Sequence, residues 1–107
     1  MKELKRTLYI VCDYYHENAD IDIDAICGNY DDAMAEMKKN INDFVQECGF
    51  SMNHDMSLIG ETEGTHITTD GKHYAVLYID DCPVCEWFIK KAKMSDVDAD
   101  DDLGKNC

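Results

Sequence analysis

Three aspartates at alternate positions, Asp20, Asp22 and Asp24 in "DIDIDAIC", are the first residues whose type and spacing suggest chemistry. Strands avoid Asp, yet this stretch otherwise alternates as a strand does. Same-face residues on one strand lie about 6.6–6.8 Å apart. The row therefore carries like charges at a pitch comparable to successive phosphates on an extended nucleic-acid strand. Asp31, Asp32 and Glu36 follow closely in the sequence. From Thr7 to Met37 there are eight acids and no Lys or Arg, and from Asn40 to Gly71 six more acids and again no base. Ordinary solvated faces mix signs because mixing relieves repulsion. A plainer account is an edge strand guarded by charge against aggregation, followed by routine acids at a helix N-terminus. The long base-free runs favour a dedicated acidic face over that account. Glu61 and Glu63 are the second choice for its contacts.

Cysteine offers the other candidate chemistry. Cys82 and Cys85 bracket Pro83-Val84, and over these four residues the chain is similar to the C-P-x-C of glutaredoxin-like proteins. That resemblance implies a thiol activated at a helix N-terminus. The motif follows the last expected strand rather than an early one, however, and Pro83 is the only proline, so no cis-proline can sit beside the thiols. Asp80, Asp81 and Glu86 also oppose a thiolate. A zinc site would need two further ligands, and Cys12, Cys27, Cys48, His54, His66 and His73 are scattered. The segment from Asp96 fails as a calcium loop, with Asp101 where glycine is required and Cys107 in place of the final Glu. No Walker loop, dinucleotide fingerprint, H-E-x-x-H or G-x-S-x-G occurs. The expectation is a protein that is not an enzyme and needs no cofactor or metal.

The elements that position these residues read as follows. "TLYIVCDY" (7–14) and "DIDIDAIC" (20–27) form a hairpin across His16 to Ala19, the second arm showing Ile21, Ile23 and Ala25 on one face and the aspartates on the other. Gly28 ends it, and Asn29 caps a helix over 30–48 whose apolar stripe is Met34, Met37, Ile41, Phe44, Val45 and Cys48. Gly49 fits the glycine position just past a helix end. "FSMNHDMSLIG" (50–60) is a weaker strand. "HITTDGKHYAVLYID" (66–80) is a hairpin turned at Asp70-Gly71, with Tyr74 to Ile79 as an interior strand. Pro83 fits the first position of a short helix closed by Lys90, Lys91 and Lys93. The order is β-β-α-β-β-β-α, an α+β fold with an antiparallel sheet of four to five strands, one long amphipathic helix on a sheet face and a short C-terminal helix. Residues 1–94 form the single domain, and 95–107, "SDVDADDDLGKNC", an acidic tail.

At 107 residues and 45% apolar content the chain suffices for one packed domain. Its 23 acids against ten bases give a net charge of −13. That balance argues against direct contact with nucleic acid or anionic lipid, both of which need basic patches. It suits a basic partner. The apolar run near the N-terminus is too short for a leader or a membrane span. Reduced thiols in a cytoplasm, that of a bacterial host, are expected. In size, charge and architecture the whole chain resembles the acidic anti-CRISPR inhibitors of phages and mobile elements. The resemblance implies a stoichiometric inhibitor that imitates nucleic acid, occupies the basic groove of a Cas effector or its guide complex, and blocks DNA or RNA binding. The acidic face read from the residues places the partner contacts at Asp20, Asp22, Asp24, Asp31, Asp32 and Glu36, with Glu61 and Glu63 second. The alternatives are a thiol or zinc protein built on Cys82 and Cys85, and a small regulatory interaction domain.

Overall fold

The computed structural model describes residues 5–95. Of the acidic tail expected over 95–107, residues 96–107 lie outside them, and Ser95 closes the last strand. Five antiparallel strands form one sheet: β1 (Lys5–Tyr15), β2 (Asp20–Cys27), β3 (His66–Thr69), β4 (Tyr74–Ile79) and β5 (Cys82–Ser95). Their spatial order is β2-β1-β5-β4-β3, so β5 is central and β2 and β3 are the edges. One helix, α1 (Tyr30–Glu47), packs against β1, β2 and β5. The fold is α+β.

Helix α1 follows its local signals. Asn29 is extended (φ −145°, ψ 163°), and its side chain accepts a 2.8 Å hydrogen bond from the Asp32 amide. At the other end Gly49 adopts φ +91°. The Phe50 amide donates to the Val45 carbonyl at 2.8 Å and the Gly49 amide to the Gln46 carbonyl at 3.0 Å, the paired bonds of a Schellman cap. Asn29→Ala should cost about 1 kcal/mol, within the 0.5–2 kcal/mol range for a lost N-cap, and urea unfolding followed by circular dichroism will measure it.

Between cap and stop, Ala33, Met37, Ile41 and Val45 are fully buried, while Met34 and Phe44 are partly buried beside them. These residues meet Val11, Ile67, Ala75, Leu77, Cys85, Trp87 and Ile89 from the sheet. Met56 and Leu58, from the connection between α1 and β3, close the same core.

Three expectations are corrected. Residues 50–60 are not a strand; only an isolated bridge joins Met52 to Leu58, and side-chain bonds among Asn53, Asp55 and Ser57 shape the loop. The apolar residues there, Met56 and Leu58, are core plugs.

The expected C-terminal helix is instead β5. Asp80 and Asp81 both adopt positive φ (52° and 68°) and make the two-residue turn from β4 to β5. Cys85, Trp87 and Ile89 then alternate into the core. Pro83 is tolerated because Val84 is an extra residue there, between the pairs Leu77–Cys85 and Tyr78–Pro83. The chain order is therefore β-β-α-β-β-β.

The third correction concerns β2. Val11 pairs with Ala25 and Cys12 with Ile23, leaving Asp24 as a bulge. The bulge shifts the alternation by one residue. Ala25 and Cys27 reach the helix-covered face beside Val11 and Tyr9, and the aspartates lie on that same side. Ile21 and Ile23 project from the uncovered face, each 63% exposed.

Candidate functional site

The bulge places the acids where no alternation rule puts them. Cα partners in an antiparallel ladder share a face, and β1 pairs Asp13 with Asp22 and Tyr15 with Asp20. Tyr15 packs against Phe44 of α1 with ring centroids 5.7 Å apart and the planes tilted by 44°, which identifies this face as the helix side. Along α1, Asp32, Glu36, Asn40, Asp43 and Glu47 recur at spacings of four, four, three and four residues. That spacing forms one polar stripe, spanning about 22 Å at 1.5 Å per residue. The stripe borders β2. Carboxylates from β1, β2 and α1 therefore converge along one seam.

At its centre is a cleft of about 180 Å³ lined by Asp13, Tyr15, Asp24, Asn40, Asp43, Phe44 and Glu47. Asp13 is only 3% exposed, and among the described residues its Oδ1 has no hydrogen-bond partner. The Asn40 amide nitrogen is likewise buried without one.

Electrostatics follow from this crowding. Asp24 keeps an exposed outer side, yet burial of its inner side, a hydrogen bond to Asp13 and the charges of Asp13, Asp22 and Glu36 push its carboxyl up to about 7. Burial, with Asp13 next, pushes the Tyr15 phenol up to about 12. Burial, with Asp32 and Glu36 next, raises the Cys27 thiol. Lys38 and Lys39 interrupt the acids of α1 between Glu36 and Asp43, and Lys72, Lys90 and Lys91, with His73, line a separate groove of about 720 Å³ beside Tyr9 and Tyr30.

Because the raised Asp24 carboxyl is protonated in the fold where an unfolded one is already charged, stability falls as pH rises from about 4 to about 7. Asp24→Asn should remove that slope. It should stabilise the protein by about 1–2 kcal/mol at pH 8, well under the full shift because solvent screens the outer side, and leave stability at pH 4 unchanged. Thermal unfolding across this pH range will show it.

Of the acids expected to form one face, Asp20, Asp22, Asp24, Asp32 and Glu36 belong to the seam, whereas Asp31 lies off the stripe of α1, across the buried face of the helix and beside Tyr30. Glu61 and Glu63 do not join them; they are exposed in the connection before β3, at the opposite edge of the sheet from β2. Asp13, Asn40, Asp43 and Glu47 belong to the seam and were not among the expected contacts. Their signals were a lone Asp inside the apolar run of β1 and the polar stripe of α1.

The cysteines show a different picture. The described ones, Cys12, Cys27, Cys48, Cys82 and Cys85, are free thiols. No helix begins at Cys82, and Cys85 is fully buried with its thiol pushed up by burial and by Asp13, so the activation that the C-P-x-C resemblance implies has no source. Among the described residues no group of three or more His, Cys, Asp or Glu side chains could hold a metal ion, and no helix is long and apolar enough to cross a membrane. No protein-family model, curated protein or solved structure matches the chain.

Proposed function

We propose that the protein is a small acidic inhibitor that binds a basic nucleic-acid-handling effector and occludes its DNA- or RNA-binding surface, a CRISPR-Cas nuclease being the preferred target. The observation that supports this reading is the seam. Asp20, Asp22, Asp24, Asp32, Glu36, Asp43 and Glu47 line the junction of β2 and α1, and no Lys or Arg lies in the chain from Thr7 to Met37. A fold tolerates such unrelieved repulsion at a cost in stability. A groove lined with Lys and Arg offsets that repulsion on binding, and its neutralisation removes its attraction for phosphate. Edge strand β2 leaves the seam accessible from the side.

The test is displacement of a labelled DNA from a purified Cas nuclease–guide complex, read by fluorescence anisotropy. The protein should displace DNA stoichiometrically at low salt, and less well as salt rises past the point where the Debye length falls to about 8 Å. Failure to displace nucleic acid from any basic nucleic-acid enzyme at low salt would remove the proposal.

A further inference from the structure

The cleft inside the seam has properties that a charged surface does not need. Asp13 is almost wholly withdrawn from water and lines the cleft; Asp24 and Tyr15 hydrogen-bond its carboxylate, yet the oxygen Oδ1 is left without a partner among the described residues. A buried, unpaired acceptor on a carboxylate costs more than its neutral counterpart, so something complementary belongs against it. Three further carboxylates, Asp24, Asp43 and Glu47, line the same space, while Tyr15 and Phe44 supply aromatic walls.

We propose that this cleft is a binding site for a guanidinium group. A guanidinium is planar and presents donors in a fork that engages two carboxylates at once. It is weakly hydrated, so entry into a narrow site costs less than for an ammonium, and it stacks on aromatic faces. Among the described residues no group of three or more His, Cys, Asp or Glu side chains could hold a metal ion, whereas a guanidinium fork needs only two carboxylates. The side-chain nitrogen of Asn40, a donor that a guanidinium does not satisfy, is also buried without a partner among the described residues and borders the same space. Two sources carry the chemistry, an arginine side chain of a protein and a free small guanidine. This inference stands apart from the inhibitor reading and is tested without an effector.

The groups facing Asp24 are Asp13 from β1, Asp22 from its own strand and Glu36 from α1. A bound cation would draw the proton off Asp24, so affinity should rise with pH through neutrality.

The experiment is titration of the full chain at low salt with capped arginine, agmatine, capped lysine, urea and magnesium chloride, followed by backbone amide chemical shifts. Capped arginine and agmatine should give saturable shifts centred on Asp13, Asp24, Asn40 and Phe44. Capped lysine should bind several-fold more weakly and urea not at all. Asp13→Asn should weaken binding at least tenfold, Asp43→Asn should weaken it in the same direction, and Asp70→Asn, outside the cleft, should leave it unchanged. Retained shift dispersion shows that the variants fold. Preference for capped arginine over agmatine assigns the site to a protein side chain, and the reverse to a free guanidine. Unsaturable shifts spread over all the acids, an Asp13→Asn variant that binds as well as the parent, or saturation by magnesium in preference to arginine would each overturn the proposal.

Discussion

Trp87→Ala should lower the free energy of unfolding by about 3–5 kcal/mol, the range for deleting a large buried aromatic. Trp87 is 1% exposed on the central strand, between Asp13 of β1 and Ala75 of β4 in the ladder, and its ring meets Phe44 edge-on at 5.6 Å. The loss therefore removes contacts to both neighbouring strands and the helix. Against a typical total of about 5–15 kcal/mol it takes a large share. Urea unfolding must be followed by circular dichroism, because the substitution removes the only tryptophan. Ile23→Ala is the matched control. On the uncovered face it should change stability by no more than about 0.5 kcal/mol. A costly Ile23→Ala together with a mild Trp87→Ala would contradict both the central placement of β5 and the outward turn of Ile23.

What could be read from the sequence divides along a physical line. Helix α1 was legible because its signals are local: Asn29 at the cap, Gly49 past the end, and a 3.6-residue apolar stripe between them. The hairpin at Asp70-Gly71 was legible for the same reason; Gly71 supplies a φ of +73°, and the Asp70 carboxylate accepts from the Lys72 and His73 amides. Strand β5 was misread because Pro83 and the lysines imitate the start and stop of a helix, while its turn uses Asp80 and Asp81 where glycine usually supplies positive φ. The alternation of Cys85, Trp87 and Ile89 was the better guide.

The faces of β2 were misassigned for a subtler reason. Alternating Ile and Asp reads identically in either phase, and a bulge at Asp24 has no local signature. Only pairing with β1 decides which set faces the helix. The candidate site inherits that limit. The acids of β2 and the first half of α1 were visible as charge. That Asp13 is buried, and that Asp43 and Glu47 join it, depends on how the helix lies across β1 and β2. Glu61 and Glu63 were selected on charge alone, and the fold separates them from the seam.

The largest functional effect should come from changing Asp20, Asp22 and Asp24 together to Asn, which keeps side-chain size and removes three charges from the seam. At roughly 0.5 kcal/mol for each surface charge the combined loss is about 1.5 kcal/mol, or roughly tenfold in affinity. Most of it should appear as slower association, because charges of this kind steer encounter. Stability should hold or improve at pH 8, since the substitution also relieves repulsion around Asp13.

The central claim, that the seam rather than net acidity engages a basic partner, is tested most directly by a side-by-side displacement measurement. Labelled DNA bound to a Cas nuclease–guide complex is competed with the parent protein, with the Asp20, Asp22 and Asp24 triple Asn variant, and with a triple Asn variant at Glu61, Glu63 and Asp70, away from the seam. At pH 8, above the range in which Asp24 takes up its proton, the two variants carry nearly the same net charge. The account predicts about tenfold weaker competition by the seam variant and little change in the other. Equal losses in both variants, or an unchanged seam variant, would contradict it.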